Sequence, residues 1–206
     1  MHVGPRHVNG WKRVSLGLFC KTGGMGSVFS CEPKWPGRNL PRLGGRSRMN
    51  IENELKNAID ALNAQAISYA LCGGLAVVLH GYVRTTDDID LLVLPEDIGR
   101  AKEALKAAGF RQTNPVAMHF PNKTFPVTIH RLIHFEGEDY LVMDLIEVGD
   151  AMRDVWEGRE QYEWEGRAIC VVSRAGLHRL KRNAGRPQDL ADIANLRLEE
   201  DSDHGG

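Results

Sequence analysis

The run TTDDIDLLVLP, Thr85 to Pro95, constrains this chain more than any other stretch. Ile89, Leu91, Leu92, Val93 and Leu94 make it a β-strand, and Pro95 ends it. Yet its head carries Asp87, Asp88 and Asp90. Carboxylates are scarce in strands and costly to bury close together. Strand side chains alternate, so Asp88 and Asp90 face one way while Ile89 and Leu91 face the other. Two like charges on one face repel unless a cation lies between them. Hard divalent ions such as Mg2+ take oxygen donors of this kind. Asp144, in the equally apolar LVMDLIEV, offers a third carboxylate from a neighbouring strand. Three acids around one or two Mg2+ ions would make a phosphoryl-transfer site. The plainer alternative is that Asp87 and Asp88 cap a turn while Asp90 pairs with Arg84 or another cation.

What precedes the acids favours the first alternative. ISYALCGG reads as a strand ending in Gly73 and Gly74, and LAVVLHG, 75–81, as a short helix closed by Gly81. Bare backbone N–H groups at such a junction form a phosphate cradle. The remaining punctuation is regular. Asn50 caps a helix with Ile51, Leu55, Ile59 and Leu62 at helical spacing. PEDIGRAKEALKAAGF is a helix between Pro95 and Gly109. The stretch 111–126, with three prolines, is ambiguous. VTIHRLIHF and YLVMDLIEV, joined by EGED, form a hairpin, and YEWEGRAICVVS forms another or enters a strand. Ser173 caps a helix through Lys181, and Pro187 opens a last one over 187–197. Strands interleaved with helices predict an α/β (α+β) domain: a mixed β-sheet flanked by helices, with a small C-terminal helical segment.

LCGGLAVVLHGYVRTTDDIDLLV resembles the signature of the DNA polymerase β-like nucleotidyltransferase superfamily: apolar strand, glycine pair, short helix, Asp-x-Asp strand, then a later acid. The resemblance runs from about Ile67 to Leu196. It implies that Gly73 and Gly74 hold nucleotide phosphates and that Asp88 and Asp90 bind Mg2+. Asp144 becomes the third metal ligand, or the base that takes the acceptor proton. The second glycine stands where many members have serine. LHRLKRNAGRPQDLADIANL further resembles a Lys…Arg-x-x-Asp…Asp segment of minimal nucleotidyltransferases, including abortive-infection toxins. On that match Lys181 contacts the triphosphate, Arg186 contacts phosphate or organises the acids, and Asp189 orients Lys181 or Arg186. Asp192 either assists there or, the plainer reading, is a solvent-facing helix acid. Arg84 either binds phosphate or neutralises Asp87.

Weaker signals carry less. His130 and His134 share a strand face, but without a third ligand no zinc site is proposed. His80 reads as packing at a helix end, and Trp156 and Trp164 as packing of the second hairpin.

Charge separates the chain into two parts. Residues 1–48 hold nine Lys or Arg against one acid, Glu32, with nine of the 22 Gly and four of the nine Pro. They lack periodicity and read as a disordered basic leader or an upstream mis-start, rather than a nucleic-acid arm, leaving 49–200 as the nucleotidyltransferase domain and 201–206 as a loose tail. The remainder carries 17 basic and 26 acidic residues, a net charge of −9. This argues against an extended DNA-binding face, but permits contact with one nucleotide or an RNA end. Cys20, Cys31, Cys72 and Cys170 have no CxxC spacing, and two lie in apolar runs, so a cytoplasmic chain with reduced thiols is expected. No apolar run has the length of a membrane span. The expected partners are an NTP and an acceptor hydroxyl on RNA, protein or a small molecule such as an aminoglycoside. A cognate antitoxin joins them if the toxin resemblance extends to biology. A non-catalytic nucleotide-binding module is the competing class.

Overall fold

The computed structural model describes residues 12–13, 49–121 and 124–196. The leader expectation therefore lies outside the described residues, except at β1 (Lys12–Arg13), and the tail expectation lies outside them entirely. Asn50 caps α1 (Ile51–Ala64): its side-chain oxygen accepts the N–H groups of Glu52 and Asn53 at 3.0 and 3.4 Å. Leu55, Ala58, Ile59 and Leu62 form the buried stripe of α1. The short β2 (Ala70–Cys72) runs directly into α2 (Gly73–Leu79), and the acid strand is β3 (Asp88–Val93). A 3-10 turn at Pro95–Asp97 starts α3 (Ile98–Ala107). The ambiguous stretch holds two short strands, β4 (Arg111–Gln112) and β5 (Met118–Phe120). β6 (Val127–Glu136) and β7 (Asp139–Glu147) form the expected hairpin.

Among the elements without a counterpart in the sequence reading are β1 and α4 (Arg153–Glu157), because two and five residues are too few to display a period. The second hairpin is β8 (Glu160–Trp164) and β9 (Arg167–Val171). Ser173 then caps α5 (Arg174–Ala184), accepting the Gly176 N–H at 3.2 Å, and α6 (Pro187–Leu196) follows.

Among the described residues nine strands form one mixed sheet, in the order β1-β8-β9-β2-β3-β7-β6-β4, with β5 on β6. β3–β7, β2–β9 and β1–β8 are parallel, and the other pairs are antiparallel. Of the two sheet faces, one is closed by α1 and α3. There His134 Nδ1 meets Glu54 Oε2 at 2.8 Å and His130 Nδ1 meets Lys102 Nζ at 2.9 Å. Leu132, Leu141, Met143 and Leu145 share that face and are buried. Among the described residues no helix is long and apolar enough to cross a membrane.

Candidate active site

Asp90 and Asp144 are register partners in the parallel pair β3–β7, and Asp88 lies opposite Val142. The three carboxylates thus occupy one sheet face, the one turned away from α1 and α3. Cys72 is the partner of Asp90 on β2, and the chain leaves it through Gly73 at φ +62°. A Cβ on Gly73 would stand 1.8 Å from Asp90 Oδ2, so glycine is required there for two reasons, backbone and space. A Cβ on Gly74 would stand 2.3 Å from Thr86 Oγ1 and 2.6 Å from Arg84 Nη2. Those two side chains fill the volume that a serine would need.

The electrostatics of the site follow from crowding. Loss of water, then the charges of Asp88 and Asp144, push the Asp90 carboxyl up to about 7, against the pull of Arg186 and Lys181. Thr86 Oγ1 donates to Asp88 Oδ1 at 3.0 Å. Asp144 is buried, and both its oxygens are held by Arg131, from Nε at 2.8 Å and Nη2 at 2.7 Å. Arg131 is the register partner of Asp144 across the hairpin. The sequence reading missed it. Counting outward from a two-residue turn at Gly137–Glu138 would have found it, but EGED left the turn position open.

A second cluster lies on α5 and α6. Lys181 Nζ is 3.2 Å from Asp189 Oδ1 and 2.7 Å from Asp192 Oδ2. Arg186 grips Asp189 twice, Nε to Oδ2 at 2.7 Å and Nη2 to Oδ1 at 3.2 Å. Asp189 therefore touches both cations that the sequence pointed to. Arg84 Nε lies 3.2 Å from Asp192 Oδ1. Asp192 is fully buried, which corrects the expectation of a solvent-facing acid. Asp189, Asp192 and Leu196 fall on one helical stripe, and two cations make burial of the acids tolerable.

Other candidates fall elsewhere. His130 and His134 sit on the helix-covered face, where Glu147 and Glu54 engage them. His80 packs at the end of α2, its Nε2 2.8 Å from the Val172 carbonyl oxygen. Trp164 is buried in the second hairpin as expected, whereas Trp156 belongs to α4. A cleft of about 880 Å³ between α4 and α5, lined in part by Asp154, His178 and Arg179, includes none of the three carboxylates. Among the described residues no three His, Cys, Asp or Glu side chains stand together at metal-ligand spacing. The donor chemistry nonetheless suits a hard divalent ion: oxygen donors on one face, with an Asp90 carboxyl whose burial and acidic neighbours outweigh the charges of Arg186 and Lys181. Full ligation would require Asp144 to exchange Arg131 for the ion.

A family model described as "Uncharacterised nucleotidyltransferase" matches residues 44–179, a span that includes Gly73, Gly74, Asp88, Asp90 and Asp144. The chain belongs to this family. It is a nucleotidyltransferase, an enzyme class that generally uses divalent metal ions. Among solved structures, a putative nucleotidyltransferase from Thermotoga maritima is similar, at 14% identity and a TM-score of 0.50, over 70% of this chain and 90% of that one. It shares the fold. Lincosamide antibiotic adenylyltransferase LnuA, solved with lincomycin, aligns at 21% identity and a TM-score of 0.48, over 71% of this chain and 96% of that one. ANT(2")-Ia, solved with adenylyl-2"-tobramycin, aligns at 17% identity and a TM-score of 0.46, over 71% and 85%. No curated protein matches this chain.

Proposed function

We propose that this nucleotidyltransferase is Mg2+-dependent and moves a nucleoside monophosphate from an NTP to a hydroxyl, releasing pyrophosphate. The observation that carries the reading is the register pairing of Asp90 with Asp144, beside a left-handed Gly73 with no room for a side chain. Asp88, Asp90 and Asp144 would hold one or two Mg2+ ions, whose chemistry is to neutralise charge on the transferred phosphate and on the attacking and leaving oxygens. Gly73 and Gly74 let the backbone approach the NTP phosphates. Lys181 and Arg186 supply positive charge, which Asp189 holds in place, and Arg84 adds a guanidinium next to Gly74. The acceptor oxygen bonds to the α-phosphorus as the bond to pyrophosphate breaks. The acceptor proton goes to Asp144 or to solvent.

The C-terminal LHRLKRNAGRPQDLADIANL supports the finer reading, a toxin-like enzyme that acts on RNA or protein. The catalytic domain in this reading spans 49–200. The test is incubation with each α-labelled NTP and Mg2+, offering total RNA, total protein and tobramycin as acceptors. Asp90→Asn should lose transfer by roughly a thousandfold or more while melting as a folded protein. Transfer at the parental rate would remove Asp90 from the site. Binding of Mg2+–NTP without transfer to any acceptor would favour the non-catalytic module.

A further inference from the structure

We propose that the acceptor is the 3′ end of a single-stranded nucleic acid, lying along the open face of β4–β7 beside Asp144; this rests on the nucleotidyltransferase reading above. The two faces of these strands differ sharply. On the helix-covered face, the side chains of β7 are 0–3% exposed at Leu141, Met143 and Leu145. On the opposite face, register places Phe135 opposite Tyr140, Arg131 opposite Asp144, and Phe120 opposite Val127. Phe120, Phe135 and Tyr140 are 42%, 57% and 55% exposed, and they are all the large exposed aromatics among the described residues. The Phe135 and Tyr140 rings lie 6.3 Å apart. The apolar side chains between these aromatics, such as Ile129 and Val142, are only partly covered.

The charge of this face is as selective as its shape. Asp144 is the sole acid that β4–β7 place on it, and Arg131 pairs with it; Arg111 sits at the strand edge, where its guanidinium donates to the Lys106 carbonyl oxygen at 3.2 Å. A polycationic acceptor would need several unpaired carboxylates along these strands, and β4–β7 offer only Asp144, which Arg131 already holds. A single strand offers what the surface can use. Exposed aromatics on a sheet stack with bases, and arginine takes phosphate through two parallel hydrogen bonds. Phe135 and Tyr140 lie four positions along the hairpin from Arg131 and Asp144, about 13 Å from the carboxylate, whereas Phe120 lies as far along in the opposite direction and two strands across, about 16 Å away. That reach spans a few nucleotides, consistent with the acidic remainder of the chain, which has no long basic track.

Arg131 ties the surface to the chemistry. Its side chain is 45% exposed, yet it holds a nearly buried Asp144. A phosphate of the incoming strand offers the guanidinium a second partner and frees the Asp144 oxygens. The terminal hydroxyl oxygen then bonds to the α-phosphorus, pyrophosphate leaves, and the hydroxyl proton passes to Asp144 or to solvent.

The test measures fluorescence anisotropy of a short 5′-labelled oligoribonucleotide and its DNA counterpart, without NTP, on the full chain and on Phe135→Ala/Tyr140→Ala and Phe120→Ala. These side chains are exposed, so the variants should melt like the parent and bind NTP equally. A strand that ends at Asp144 runs toward one aromatic end, so binding should weaken roughly tenfold or more in one of the two variants. A loss restricted to the ribonucleotide would assign RNA, and an equal loss would assign either strand chemistry. A parent that binds neither oligonucleotide, or binding as tight as the parent's in both variants, would overturn the proposal. So would NMP label that appears on protein or tobramycin and not on the oligonucleotide. Aromatic-dependent strand binding without any NMP transfer would support the platform while counting against the catalytic reading.

Discussion

Asp90→Asn keeps the size of the side chain and removes its charge, so it separates what the carboxylate does for catalysis from what it costs the fold. In the folded protein the carboxyl is raised from 3.8 to about 7, first by desolvation and then by Asp88 and Asp144. At about 1.36 kcal/mol per pKa unit, a shift of this size is worth at most about 4 kcal/mol. Asp90 is only partly covered, and solvent screening lowers the expected figure to about 1–2 kcal/mol. The sign follows from proton binding. A raised folded value means that the folded state holds the proton more tightly, so the contribution of Asp90 to parental stability is full below about pH 4 and is lost as pH rises through about 7. Asn lacks this dependence. In chelator at pH 8 the variant should melt above the parent by roughly 5 °C, and at pH 4 the two should nearly coincide. Mg2+ should raise the parental melting temperature and leave the variant's unchanged. Calorimetry at both pH values, with and without Mg2+, reads all four quantities. A variant that melts below the parent at pH 8, or a difference that ignores pH, would refute the argument that Asp90 is destabilised by its neighbours.

Two further outcomes are expected. Asp192→Ala should cost about 3 kcal/mol in urea unfolding, because it leaves Lys181 and Arg84 buried with fewer partners; a loss under about 0.5 kcal/mol would show that the cluster is not a packed ion network. A chain beginning at Met49 should unfold cooperatively and bind nucleotide, since Met49 itself packs into the core and only the pairing of Lys12–Arg13 with β8 is lost among described contacts. Loss of cooperative unfolding would make the first 48 residues part of the fold.

Local backbone geometry is what made part of this protein legible. The period of two along DDIDLLV put Asp88 and Asp90 on one face before any partner strand was known. Asn50 and Ser173 marked helix starts because a side-chain oxygen must meet orphan N–H groups within three residues. The hairpin of β6 and β7 was equally local. The pairing of β3 with β7 was not, since the two strands are parallel and separated by α3 and three other strands. Their register, and with it the meeting of Asp90 and Asp144, is settled by how the whole sheet packs against α1 and α3. The same holds for Asp192, an acid on an outwardly ordinary helix, which is buried only because Lys181 and Arg84 arrive from other elements. Arg131 differs again: its partner lies 13 residues away, but one residue of slip at the turn would turn its side chain to the other face. Sequence periodicity determined which side chains share a face; the tertiary structure decided which faces meet, because long-range pairing is chosen by the sum of all contacts and not by any one segment.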